Sequence, residues 1–295
     1  MLLRPEIAEP ETVKQAMALL RSRRGAVPLA GATDLIPAMR RGLAKPRLLV
    51  NLKRIADLRG VGRAGTSLRI GATTTVAELL HSPIVKTGWP VLAEVAREFG
   101  SPQTRNLATV GGNLCNATPS ADLPLPLLVL EARIEITGPA GKREMPLAEF
   151  FRGVNKTALR AGELVTAILV PRPSARTGAA CAKVVGRRAM DLAVAAAAAA
   201  VTLAPDGQTC RRARVALGAV APAPMRSAKA EDLLQGRKLT PSLMREAAKL
   251  AAAEARPVSD LRATEAYRRE MTEVLVRRVL AEAARRAGGG GRDGR

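Results

Sequence analysis

The residues best suited to chemistry are the adjacent glycines Gly111 and Gly112, which lie in the polar run Thr104–Asp122. Because glycine has no Cβ, an anion such as a pyrophosphate can approach the backbone N–H groups of such a pair closely. Threonine, asparagine and serine side chains nearby add donors, and each charge-assisted hydrogen bond contributes about 1.5 to 3 kcal/mol. On spacing alone such a pair more often forms only a tight turn. The run is not GxGxxG, and the chain contains no GxxxxGK[ST], so neither a Rossmann fingerprint nor a P-loop is supported.

A second segment with the chemistry of a phosphate cradle is Gly31–Asp34. The apolar run Val27–Ala30 precedes it, and Leu35–Arg40 follows it with a helical pattern. This order predicts a strand, a turn of small residues and a capped helix start.

Other reactive side chains are few. Cys115, Cys181 and Cys210 are widely spaced and odd in number, so neither a disulfide framework nor a four-thiolate cluster fits, and any iron–sulfur cluster must sit on another chain. Because His81 is the only histidine, most types of zinc site are excluded, and a nucleophilic triad would have only one possible base. Its place before Ser82-Pro83 predicts an exposed surface residue. We expect no metal ligands and no catalytic residue on this chain.

The composition is strongly basic, with a formal net charge of +21 over 295 residues. Such a charge favours nucleic-acid binding in general, but the excess is spread along the chain, at +12 over residues 1–210 and +9 over residues 211–295. Aromatic residues make up only 2% of the chain, which offers no stacking platform for single strands. Solubility or an acidic partner subunit explains the charge more simply. No long apolar stretch is present, so we expect a cytoplasmic protein without a membrane span.

The elements that must position the two glycine-containing segments alternate between short strands and helices, which indicates an α/β or α+β first domain. A link at Pro171–Ser174 places a boundary near residues 174–178. After it, Asp191–Leu203 is rich in alanine, and helix propensity competes there with a hairpin pattern that continues into Ala213–Gly218. We predict strands at Arg47–Leu52 and Leu68–Ala72 and helices at Glu11–Arg24, Thr75–Leu80, Pro90–Phe99, Thr240–Ala255 and Thr264–Ala287.

The segment Val110–Leu114, followed by Ala117-x-Pro119-x-Ala121-Asp122-x-Pro124, resembles the signature of the flavin subunits of molybdenum hydroxylases, of the xanthine dehydrogenase and aerobic carbon monoxide dehydrogenase medium-subunit type. The resemblance covers about residues 3 to 285. The other segments that resemble this family, in the same order, are Leu29–Pro37, Leu147–Gly162, Gly186–Asp191, Ser259–Arg262 and Tyr267–Arg269.

The resemblance implies an α+β fold with an FAD-binding domain of the PCMH (vanillyl-alcohol oxidase-like) type over residues 1–173, divided into subdomains of about 1–56 and 57–173. A C-terminal domain of antiparallel sheet plus helices is expected over residues 178–287. In this family Asp191–Leu203 is a strand, so we predict a strand there despite the alanines. Residues 288–295 are expected to be a disordered tail.

The same resemblance assigns site residues. The loops Ala30–Asp34 and Thr109–Asn113 resemble the two segments that wrap the pyrophosphate and ribityl chain of FAD. Asp122 resembles a carboxylate that binds the flavin side, and Lys183 resembles a lysine near the isoalloxazine, where a cation would stabilise the reduced anionic flavin. The predicted cofactor-binding residues are Ala30, Gly31, Ala32, Thr33, Asp34, Thr109, Val110, Gly111, Gly112, Asn113, Asp122, Val165 and Lys183.

Alternatives remain open for several of these residues. Asp122 can instead cap a helix before Leu123, Lys183 and Arg187 can form a solvated basic turn, and Phe99 and Val165, which resemble residues flanking the flavin rings, can be ordinary core. Ala32 departs from the family, which usually has a second glycine there. Because a methyl group restricts positive φ and narrows the approach to phosphate, we expect weaker tolerance but not lost binding.

The implied function is electron transfer. In this family the flavin subunit accepts electrons from iron–sulfur clusters of a small partner subunit and passes them through FAD to an external acceptor. The small subunit receives the electrons from a large molybdopterin subunit, and the expected assembly is a dimer of heterotrimers. Quinone, NAD and oxygen remain open as acceptors, and the substrate is chosen by the large subunit. The alternatives are a free-standing FAD-dependent reductase of related fold and a basic module without flavin that binds nucleic acid or scaffolds a complex.

Overall fold

The computed structural model describes residues 5–187 and 190–289. The first unit alternates strands and helices: β1 (Glu6–Ala8), α1 (Val13–Ser22), β2 (Ala26–Leu29), α2 (Leu35–Arg40) and β3 (Leu48–Asn51). The three strands are parallel in the order β1-β3-β2. Thr12 caps α1 in a reciprocal capping box with Gln15. Since Gly31–Asp34 follows the carboxyl end of β2, the sheet itself places this segment at one edge.

The second unit is an antiparallel five-stranded sheet in the order β4-β5-β10-β6-β7. Buried Leu and Ile side chains of its strands form a core with the helices that cover one face. Two 3-10 turns, Leu52–Arg54 and Ala56–Leu58, connect it to β3, and a third spans Leu147–Glu149. The other elements are β4 (Val61–Ala64), β5 (Ser67–Gly71), α3 (Val76–His81), α4 (Pro83–Gly88), α5 (Pro90–Glu98), α6 (Pro102–Leu107), α7 (Val110–Asn116), α8 (Pro124–Val129), β6 (Arg133–Gly138), β7 (Gly141–Pro146), β8 (Phe151–Gly153), β9 (Lys156–Thr157) and β10 (Leu164–Val170).

The third unit is a four-stranded antiparallel sheet with long helices against it, in the strand order β11-β12-β13-β14. The alanine-rich segment is a strand from Ala195, so the predicted strand is confirmed and helix propensity does not decide its structure. Every residue of this strand is buried, because helices of the second unit cover one face and the long C-terminal helix covers the other. The elements are β11 (Thr177–Val184), β12 (Ala195–Leu203), β13 (Cys210–Gly218), β14 (Met225–Arg226), α9 (Ala228–Leu234), α10 (Pro241–Glu254) and α11 (Glu265–Ala287).

Ion pairs join the third unit to the second. Arg286 on α11 donates to Glu94 on α5 at 2.9 Å, and Arg214 on β13 donates to Glu131 at 2.9 Å. Lys183 on β11 pairs with Asp122 at 2.9 Å. The mixed helix and sheet composition confirms the predicted fold class. The predicted disordered tail lies outside the described residues from 290 onward, as do Arg188 and Ala189 of the Gly186–Asp191 segment.

Within the described ranges, no helix combines the length and the apolar character needed to cross a membrane. His81 ends α3 with an exposed side chain, as predicted.

Candidate functional site

A cleft of about 430 Å³ lies between the first and second units. Both predicted loops line it, since Ala30–Asp34 enters from the first unit and Thr109 with Gly111–Asn113 enters from the second. Phe99 and Val165 also reach it. The remaining lining residues are Val27, Pro28, Leu29, Leu35, Ala38, Ala44, Leu52, Ala72, Thr73, Ala108, Cys115, Asn116, Asn155, Leu159, Glu163 and Leu164.

Gly31 allows the two loops to touch. A Cβ at this position would lie 2.2 Å from the carbonyl oxygen of Leu107 and 2.9 Å from Cα of Ala108, so a larger residue would push the loops apart. The next residue, Ala32, has a φ of 62°, in the left-handed region that favours glycine. Ala32 therefore adopts the left-handed conformation that its methyl group disfavours, and its backbone is strained.

Gly111 and Gly112 lie in the first turn of α7, so the interpretation as a tight turn is wrong. Thr109 caps this helix by accepting a hydrogen bond from Gly112 N at 3.1 Å. A Cβ on Gly111 would lie 2.6 Å from the carbonyl oxygen of Ala72, and one on Gly112 would lie 2.6 Å from Thr109 Oγ1. Close packing, rather than positive φ, is therefore what these two positions require.

The backbone of β5 and the turn after it holds the start of α7 in place. Val110 N donates to Thr74 O at 2.9 Å, and Gly111 N donates to Ala72 O at the same distance. Val76 N donates to Ala108 O at 2.9 Å, which ties α3 to the residue before the cap. This backbone pairing fixes two glycines as a helix that their own propensity would not form.

Unpartnered hydrogen-bonding groups face this region. Within the described residues, the backbone N–H groups of Thr33, Asp34 and Leu35 have no acceptor. Asp34 stands at the N-cap position of α2 without a side-chain cap bond, so the predicted capping by its side chain is wrong. Asn113 Oδ1 is buried and has no hydrogen-bond partner among the residues that the structure describes. Because a buried unsatisfied polar atom costs about 1 to 3 kcal/mol, Asn113 Oδ1 indicates that a polar ligand completes the cleft, and the N–H groups at the start of α2 are free to donate to such a ligand.

An acid and a thiol also line the cleft, Glu163 and Cys115. Glu163 accepts two hydrogen bonds from Arg143, which hold the pKa of this carboxyl at about 2 despite the opposing effect of burial. Burial raises the pKa of the Cys115 thiol to about 12, so the group is neutral at physiological pH. Partial burial in the cleft raises the pKa of Asp34 from its ordinary value.

Three predicted site residues do not line the cleft. Val110 is fully buried in the hydrophobic core, with its side chain in the packing between helices and sheet. Asp122 and Lys183 pair with each other at the contact between the second and third units, and Lys183 also donates to Glu98 O at 3.3 Å. Burial raises the pKa of Asp122, although Lys183 opposes the shift.

The alternatives for these charged residues have different outcomes. Leu123, not Asp122, occupies the N-cap position of α8, so the helix-cap interpretation is wrong. Lys183 lies on β11 with a side chain only 16% exposed, so it is not part of a solvated turn. Arg187 does lie in an exposed turn, in which Asp191 accepts hydrogen bonds from the backbone of Gly186 and Arg187.

Sequence reasoning missed part of the lining. Asn155, Leu159 and Glu163 belong to or closely follow the Leu147–Gly162 segment, which was recognised as similar to the family but received no role. That similarity is the signal that could have found them. Ala72, Thr73, Cys115 and Asn116 also line the cleft, next to segments that were assigned.

Comparison with known proteins shows the family to which the chain belongs. Residues 4–173 match the family described as "FAD binding domain in molybdopterin dehydrogenase", and residues 180–283 match "CO dehydrogenase flavoprotein C-terminal domain". This chain belongs to the FAD-binding medium subunits of the molybdenum hydroxylases. It is 37% identical to the carbon monoxide dehydrogenase medium chain of Afipia carboxidovorans, over 94% of this chain and 96% of the relative.

Further relatives of this flavoprotein subunit agree. The xanthine dehydrogenase FAD-binding subunit of Escherichia coli O157:H7 is 33% identical, over 94% of this chain and 95% of its own length. A chain in the structure of carbon monoxide dehydrogenase from Hydrogenophaga pseudoflava superposes with a TM-score of 0.93 at 36% identity, covering 96% of this chain and 98% of that chain. FAD is therefore the cofactor, and the chain is an oxidoreductase subunit.

The cleft residues fit FAD. The loop before α2 offers unpartnered backbone donors suited to a pyrophosphate, and the buried Asn113 oxygen on the second loop offers an acceptor suited to a hydroxyl or amino group. Apolar side chains such as Phe99 and Val165 offer surfaces suited to a ring system.

Proposed function

We propose that this flavoprotein accepts electrons from the iron–sulfur clusters of a small partner subunit and passes them through FAD to an external acceptor, while a large molybdopterin subunit oxidises the substrate. The observation that supports this most directly is the match along nearly the whole chain to medium chains and FAD subunits of dehydrogenases. The proposed assembly is a dimer of heterotrimers. We further propose the FAD-binding domain at residues 1–173, in subdomains of about 1–56 and 57–173, and the C-terminal domain at residues 178–287.

The chain's own part in this function is to hold the cofactor and exclude water. FAD, when bound, supplies a group that can exchange one or two electrons. We propose that Ala30–Asp34 and Thr109–Asn113 bind its phosphates and ribityl chain, the first with backbone donors and the second through the close approach that its glycines allow and through Asn113 Oδ1, and that Val165 packs against the rings. The two loops come from different units, so the fixed contact at Gly31 preorganises the site. Asp122 and Lys183 are proposed to stabilise the flavin end of the site through their ion pair.

The test is reconstitution. The chain purified with FAD, without its partner subunits, should show the visible absorption of oxidised flavin but should not oxidise purines, aldehydes or carbon monoxide. Adding the small and large subunits should restore substrate oxidation and reduce the flavin. Substrate oxidation by this chain alone would contradict the proposed division of labour, and turnover of the complex with an unreduced flavin would contradict the proposed electron path.

A further inference from the structure

A partly buried ion pair lies at one wall of the cleft. Arg143 on β7 donates from Nε to Glu163 Oε1 at 2.8 Å and from Nη2 to Glu163 Oε2 at 2.7 Å. The carboxylate side chain is only 8% exposed, against 30% for the arginine. Such a two-bond arrangement fixes orientation as well as charge.

This pair holds a whole segment of the wall. Glu163 Oε2 also accepts from Arg160 N at 2.8 Å, and Arg143 Nη2 donates to Ala158 O at 3.1 Å. The segment from Ala158 to Glu163 is therefore fixed at both ends. Leu159 and Glu163 of this segment line the cleft.

The position of Glu163 also sets the start of β10. This strand begins at the next residue, and Leu164 and Val165 line the cleft from it. A displacement of Glu163 would be passed directly through the backbone to these two residues. The ion pair thus positions a surface proposed to pack against the flavin.

Gly138 leaves room for the carboxylate side chain. A Cβ at this position would lie 2.7 Å from Glu163 Cγ, closer than real contacts allow. Because the contact is with the middle of the side chain, the glutamate could not avoid it by a small rotation of its end. A methyl group at position 138 would therefore move Glu163 while leaving both charges in the chain.

The charges themselves matter for an anionic cofactor. The carboxylate of Glu163 borders a cleft that must hold a pyrophosphate, and two negative groups in a partly buried site repel each other. Arg143 compensates this charge. If Arg143 were lost, the repulsion would add to the loss of the wall's support.

We infer that Arg143 and Glu163 are positioning residues of the FAD site, which fix the wall formed by Ala158–Val165 and keep it electrically neutral toward the cofactor. This inference rests on the proposed assignment of the cleft to FAD. It extends that assignment to Glu163, which lines the cleft outside the two glycine loops, and to Arg143, which does not line the cleft.

Four variants of the full chain, in the complex with which it purifies, test the inference: Arg143→Met, Glu163→Gln, the double variant and Gly138→Ala. Arg133 and Glu144 on the adjoining strands β6 and β7 pair at 3.0 Å but are about half exposed, so Arg133→Met and Glu144→Gln serve as matched controls. For each variant, the FAD dissociation constant, the circular dichroism of the flavin bands and the melting temperature of the flavin-free protein are measured.

We expect Arg143→Met to weaken FAD binding by about ten-fold or more, because it removes the support and exposes a negative charge. Glu163→Gln should weaken binding less, and the double variant should bind FAD better than Arg143→Met does. Gly138→Ala should change the flavin dichroism with both charges present. The controls should leave all three quantities near wild type.

Equal FAD affinity in every folded variant, with lower melting temperatures alone, would overturn the inference and make the pair merely structural. A double variant that binds FAD no better than Arg143→Met would overturn the electrostatic part. If Arg143→Met fails to fold, Gly138→Ala and Arg143→Lys decide, since unchanged dichroism and affinity in both would overturn the positioning role. FAD affinity that stays unchanged on substitution of both Gly31 and Gly112 would instead refute the assigned cleft.

Discussion

Gly112 has a specific physical role in the first turn of α7. Replacing it with valine would place a Cβ 2.6 Å from Thr109 Oγ1 and disturb the cap that Gly112 N makes with this hydroxyl. We expect FAD binding to weaken by about 2 to 4 kcal/mol, roughly 30- to 1,000-fold, from strain and from displacement of the loop that lines the cleft. The FAD dissociation constant, measured by quenching of flavin fluorescence, checks this.

A second glycine serves as control for that substitution. Gly62 on β4 has open space around its Cβ position and lies away from the cleft, so Gly62→Val should leave FAD affinity unchanged. Lower stability of flavin-free Gly112→Val with an unchanged dissociation constant would show that Gly112 serves only the helix.

Asn113 should affect stability and binding in opposite directions. Its Oδ1 is buried without a partner among the described residues, which costs the flavin-free protein about 1 to 3 kcal/mol. Asn113→Leu keeps a similar volume and removes this cost, so we expect an equal or higher melting temperature of the flavin-free protein. FAD affinity should fall about ten-fold or more because the acceptor is lost. A lower melting temperature with unchanged affinity would show that the amide serves the fold and not the ligand.

At the scale of elements, local signals were enough where a cap marked the start of a helix. Thr12, Thr75, Thr240 and Thr264 each cap the helix predicted after them. Helix α7 was missed because its glycines have poor propensity and backbone bonds to distant residues fix it. For strand β12, helix propensity and a hairpin pattern disagree in the sequence and family resemblance decides, since burial on both faces, which a sequence does not display, overrides the propensity of alanine.

The alanines of β12 leave room only for a methyl group. Ala197 is fully buried in the core formed with α10 and α11, and Gly178 on the adjacent strand would place a Cβ 2.2 Å from Ala283 O of α11. We expect Ala197→Leu to lower the free energy of unfolding by about 1 to 3 kcal/mol through overpacking. Urea denaturation measures this. Ala253→Leu on the exposed side of α10 is the control, and equal stability of the two variants would contradict the tight packing.

The candidate site was predictable to the extent that it is local. Runs of small residues identified both glycine loops, and resemblance added Val165. Glu163 joins the wall only because β7 brings Arg143 against it from twenty residues away, and no short motif encodes that contact. Val110 was placed at the site as part of its loop, but helical geometry turns its side chain into the core.

At the scale of the whole molecule, ion pairs contribute to how the C-terminal unit meets the FAD-binding units. Arg286 connects α11 to Glu94, and Lys183 connects β11 to Asp122. Both pairs are mostly buried, so removing one partner leaves a charge in a poorly solvated place. The contact between these units is thus sensitive to the protonation of Asp122.

Asp122 and Asp206 should respond to pH in opposite ways. Burial raises the folded-state pKa of Asp122, so the folded protein binds this proton more tightly than the unfolded chain does. Stability should therefore fall relative to Asp122→Asn as pH rises above the ordinary aspartate value of about 3.9. Asp206, by contrast, accepts hydrogen bonds from the side chain and backbone of Thr209 and the backbone of Gln208, which lower its pKa to about 2.

Wild type should accordingly gain stability over Asp206→Asn as pH rises from about 2 to 4, and keep the gain at neutral pH. Urea denaturation of the three proteins at a series of pH values between about 2 and 7 gives both differences on the same scale. If wild type instead gains stability over Asp122→Asn as pH rises, the attraction of Lys183 outweighs the effect of burial. The ion pair then stabilises the contact between the two units most when both groups are charged.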